Sequence, residues 1–140
     1  MSDHKQNVNW QPISFLPQIA EMIDGMLESA EENYQNLLKA KEEPHIMDDY
    51  TVDRVFEVYG NQKADFWPYD KQLQKWTKKS VTSTQLLEIK RLQNQMIKLK
   101  KIVNQNLDIA KYLKDKTIEK IMEKDDVELA MEFLMGKMKI

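Results

Sequence analysis

The chain has 140 residues, with 21 Lys or Arg against 23 Asp or Glu and a formal net charge of −2. That length fits a single domain (1–140) with one core of ordinary size, and 31% charged residues beside 41% apolar ones describe a polar but foldable chain. The absence of cysteine excludes disulfide frameworks, thiolate metal sites and cysteine nucleophiles, and two histidines leave little for triads.

Proline and glycine are scarce, and from residue 69 to residue 135 neither occurs. Such a run is foreign to a sheet protein with its many turns and ordinary for long helices. The expectation is therefore all-α: an antiparallel bundle of three long helices, with short C-terminal helices packed on one end. Residues 1–13 read as a poorly ordered N-terminal arm.

The first helix is announced by Leu16, Ile19, Ile23, Met26, Ala30, Tyr34, Leu37 and Leu38, at steps of three or four. Ser14 suits its N-cap, Pro17 is tolerable in its first turn, and Pro44 ends it by about residue 42. Gly25, at a cost of about 1 kcal/mol, suggests close approach by a neighbouring helix. In Glu42-Glu43-Pro44-His45 a carboxylate and an imidazole sit three apart, but the proline between them keeps them off one helical face. The segment reads instead as a helix–helix corner.

The second stretch carries Val52, Val55, Phe56, Tyr59, Phe66, Leu73 and Trp76, with Asp49 or Thr51 as cap. Tyr50, Val52, Phe56 and Val58 also alternate, as in a strand, but no second alternating run exists to pair with them. Pro68 should split this helix near residues 66–67.

In the third stretch Thr82-x-x-Gln85 has the form of a capping box. Ile89, Leu92, Met96, Leu99, Val103, Asn106, Ala110 and Leu113 then keep a strict 3-4-3-4 seam, on a helix of about 48 Å. Ile102, Ile109 and Tyr112 widen that seam to a second face. Thr117 and Asp125-x-x-Glu128 suit the caps of two short helices in the tail, and Gly136 suits a stop.

Charge is unevenly laid out. Residues 1–50 hold ten acids and three bases, net −7, whereas 81–116 come to +5. An acidic first helix beside a basic third one is the simplest use of this asymmetry.

Three candidate sites follow. Glu28-x-x-Glu31 is similar to the first half of the paired acidic motif of all-α nucleotide pyrophosphohydrolases, which implies Mg²⁺ held by clustered carboxylates. Asp53 and Glu57 would complete the set, although three residues separate them where that family has two. Lys98, Lys100 and Lys101 form a basic stripe suited to nucleic acid, against 19 lysines and only two arginines overall. Trp67, Tyr69, Ile102, Ile109, Met131, Leu134 and Met135 form a surplus of apolar side chains suited to an interface. The favoured reading is a non-enzymatic cytoplasmic interaction module without a cofactor, most simply a homodimer. The Mg²⁺-dependent enzyme and the nucleic-acid protein are its alternatives.

Overall fold

The computed structural model describes residues 8–120 together with Met122, Glu123, Glu128 and Met131. Four helices carry the fold: α1 (Leu16–Glu42), α2 (Asp49–Ala64), α3 (Phe66–Thr77) and α4 (Ser83–Leu113). Short 3₁₀ turns, Ile13–Phe15 and Pro44–Ile46, precede α1 and fill the α1–α2 corner. No strand occurs among the described residues, and none of their helices is long and apolar enough to cross a membrane. The chain is an all-α bundle.

Pairings across the bundle give the directions. Asp24 meets Arg91, Ala30 meets Asn106 and Lys41 meets Tyr112, so α1 and α4 run the same way. Asp49 meets Thr117 and Asp70 meets Lys100, so α2 and α3 form one returning leg, antiparallel to both. α4 is the spine, on which α1, α2 and α3 all pack.

The seam of α4 is buried at every position from Ile89 to Leu113. It divides between two apolar clusters. The larger joins Ile23, Leu27, Tyr59, Phe66, Leu73 and Trp76 to the first half of α4. The smaller joins Leu37, Ala40 and Val52 to Ile109, Ala110 and Leu113. Ile109, expected at an intermolecular interface, is thus 8% exposed and filled by the chain's own α1 and α2. Ile102 is half-buried against the larger cluster.

Helix ends follow local chemistry. The capping box at Thr82 is complete: Gln85 N–H donates to Thr82 Oγ1 at 3.1 Å, and Thr82 N–H donates to Gln85 Oε1 at 2.9 Å. α1 departs from expectation, because Ser14 lies within a 3₁₀ turn and Phe15 is the N-cap, with no side-chain bond. Pro17, without an N–H, already removes one of the donors a cap would satisfy. α2 is capped by Asp48, one residue earlier than expected, whose Oδ1 accepts from Thr51 N–H at 2.7 Å. That bond holds the Asp48 carboxyl below its ordinary range. The split before Pro68 falls at Asp65, since in one continuous helix Pro68 would have to donate to the Ala64 carbonyl.

The segment read as a loose arm is held against α3 from Val8 onward. Gln11 N–H donates to the buried Gln72 Oε1 at 2.7 Å, and the buried Trp76 Nε1–H donates to the Gln11 carbonyl at 3.0 Å. Trp10 meets Trp67 edge-on at 6.2 Å, with Lys75 Nζ 5.0 Å from the Trp10 ring centroid. Gly25 is also a correction. A Cβ built there meets nothing within 4 Å, so no helix among the described residues approaches it closely.

Candidate functional site

α1 and the α2–α3 leg each pack more closely on α4 than on each other. The reason is in the side chains. α1 turns Ala20, Ile23, Leu27 and Ala30 inward, while Ile19 and Met26 on its flank are only partly buried against the core, in line with Met22 and with Phe15 just before the helix. Phe15 and Met22 remain 41% and 50% exposed.

Two openings lie along this seam. The lower, of about 360 Å³, is lined by Leu37, Met47, Val55 and Val58, with Asn33, Asn36, Thr51, Arg54 and Tyr59 as polar neighbours. Asn33 Nδ2 donates to the Tyr59 hydroxyl at 2.5 Å across its floor, and Arg54 is held by Glu57 at 2.8 Å. The upper, of about 390 Å³, lies between Ile19 and Met22 of α1 and Pro68, Tyr69 and Gln72 of α3, roofed by residues 8–11. Burial, together with the nearby Asp65 carboxylate, pushes the Tyr69 hydroxyl pKa up. The seam is shaped to receive apolar side chains.

No known family matches this chain, nor does any curated protein or solved structure. Function therefore has to be read from geometry.

The carboxylates do not assemble. Glu28, Glu31, Asp53 and Glu57 are all exposed, and Glu57 is engaged by Arg54. Among the described residues no group of three or more His, Asp or Glu is placed to hold a metal ion. Helical phase explains this, since the buried faces of α1 and α2 are set by Ile23, Leu27 and Val52, and these acids project away from them.

The basic stripe on α4 is partly answered within the chain. Arg91 binds Asp24 through two nitrogens, at 3.0 and 2.8 Å, and Glu88 at 2.7 and 2.9 Å. These bonds lower the carboxyl pKa of Asp24 and Glu88 and raise that of Arg91. Lys100 pairs with Asp70, while Lys98 and Lys101 stay exposed. A different basic cluster emerges around Trp10, where Lys71, Lys75, Lys78 and Lys79 line one opening. Three of these sit in or just past the last turn of α3, where cations favour the negative end of a helix.

Of the apolar candidates, Trp67 and Tyr69 are half-buried beside the arm, and Tyr69 lines the upper opening. Met131 is 57% exposed, and Leu134 and Met135 lie outside the described residues. Tyr112 takes Lys116 Nζ at 4.2 Å and Lys41 Nζ at 5.5 Å from its ring centroid. Sequence reasoning missed the seam because periodicity identifies which face of a helix is apolar, not how far apart two legs stand. Val58 and Met22, apolar at positions beside the main stripes, were its only trace.

Proposed function

We propose that this chain is a non-enzymatic interaction module that accepts an amphipathic helix in the seam between α1 and the α2–α3 leg, with a second copy of itself as the simplest partner. The observation that carries the reading is the seam: two openings with apolar side chains in their linings, between legs that pack more closely on α4 than on each other. A partner helix laid in such a groove anchors by side chains at i, i+3, i+4 and i+7. Met22 offers an adaptable surface to such anchors, and Val58 a rigid one.

Dimerisation is the direct test. Sedimentation equilibrium at micromolar concentration should give twice the chain mass of 16.7 kDa, and Val58→Glu should return it to a single mass. A single species of 16.7 kDa at every concentration rejects self-association.

A further inference from the structure

We propose that residues 121–140 of the same chain, rather than a helix of a second copy, dock at the lower opening of this seam, a proposal that rests on the helix-accepting reading above. The path of the chain argues for it. After α4, Ile118 N–H donates to the Met47 carbonyl at 2.8 Å, and Thr117 Oγ1 donates to Asp49 Oδ1 at 2.6 Å. Lys120 Nζ stands 3.6 Å from Asp49 Oδ2, and Asp49 N–H is 3.2 Å from both Glu119 carboxylate oxygens. Thr117 is fully buried, so this junction is a fixed point of the fold. Met47 lines the lower opening, and the remaining segment therefore begins at the mouth of the seam.

Length and pattern agree with that path. Twenty residues span about 30 Å as a helix, enough to pass along the lower opening, whose α2 border from Thr51 to Tyr59 spans about 12 Å. The segment carries Val127, Met131, Leu134, Met135 and Met138 at i, i+4, i+7, i+8 and i+11, one helical stripe. Met131 is helical and more than half exposed, and Val58 at the lower opening is 41% exposed, so each has apolar surface left to cover. Running alongside α2 from the Asp49–Lys120 junction, the segment would bring Met131 level with Val58, each lying about 14–17 Å along its helix.

Hydrogen exchange of the full-length chain tests the proposal. Amides of 121–140 should exchange slowly at a rate independent of protein concentration. Val58→Glu should accelerate them by about tenfold or more, because a carboxylate would face the apolar stripe. Leu87→Glu, on the outer side of α4 where Leu87 is 70% exposed, should leave them unchanged. Circular dichroism should show both variants as helical as the parent. In this cysteine-free chain, Val58→Cys with Met131→Cys should form an intramolecular disulfide on oxidation. Fast exchange of 121–140 in the parent, indifference to Val58→Glu, or failure of the cysteine pair to close each overturns the proposal. Protection that grows with concentration assigns the seam to a second copy, overturning docking in cis while the helix-accepting reading stands. A chain that stays monomeric yet protects 121–140 through Val58 keeps this proposal and loses self-association.

Discussion

Truncating Leu99 to alanine should cost this bundle about 3–4 kcal/mol. Leu99 is fully buried in the middle of α4, where α1 and the returning leg both close on the spine. The substitution removes three carbons, worth about 2.4 kcal/mol at about 0.8 kcal/mol each, and the cavity left behind adds a further kilocalorie or so. Leu87→Ala is the matched control: the same chemistry on the same helix, at a position 70% exposed. Less than a third of its transfer energy is at stake and the better helix propensity of alanine offsets part of it, leaving about 0.5 kcal/mol. Urea unfolding followed by far-ultraviolet circular dichroism separates the two, since with a slope of about 1.5 kcal/mol/M the midpoints should differ by roughly 2 M. Coincident midpoints would show that α4 is rotated from the orientation described.

Two further outcomes follow from surface geometry. Arg91→Ala should destabilise by about 1 kcal/mol near neutral pH, a modest figure because the pairs with Asp24 and Glu88 are more than a third exposed. Both carboxyls are lowered below their ordinary values of 3.8 and 4.5, so their contribution is present above those values and is lost as pH falls through the folded-state ones. Unfolding curves of parent and variant should therefore converge in acid, and a constant gap from neutral pH to pH 3 would refute the pairing. Gly25→Ala should stabilise by about 0.5–1 kcal/mol, because the site is helical, has no positive φ and has room for a Cβ. A lower melting temperature for this variant would reveal a neighbour packed against α1 at that point.

The core of α4 was legible to the residue, because a strict 3-4 alternation over Ile89 to Leu113 has one helical solution, and all eight seam positions are buried. The α2 segment was legible as a helix for a different reason: Tyr50 and Val58, which feigned a strand, are simply exposed, while Val52 and Tyr59 keep helical spacing in the core. The docked arm was not legible. Trp10 and Gln11 sit in a polar stretch without periodicity, and their partners, Trp67, Gln72 and Trp76, lie more than fifty residues away. The second stripe of α4 was visible, but its use was misjudged at Ile109, because the split returning leg sends α2 across it and the sequence does not print helix crossings. The acidic pairs failed as a metal set through phase alone. Spacing along one helix fixes a shared face and leaves open which way that face looks.

All three tryptophans lie away from the Thr117 end of the molecule. Trp10, Trp67 and Trp76 gather where the arm meets α3, while the opposite end, built from Leu37, Val52 and Leu113 and tied by Thr117, contains none. Intrinsic fluorescence is therefore a one-ended gauge of this bundle. Loosening of the Met47–Ile118 junction would leave the indole emission unmoved, while the tyrosine signal of Tyr112 and the helical ellipticity would register it. Any folding study that follows tryptophan alone would watch half of the protein and attribute its behaviour to the whole.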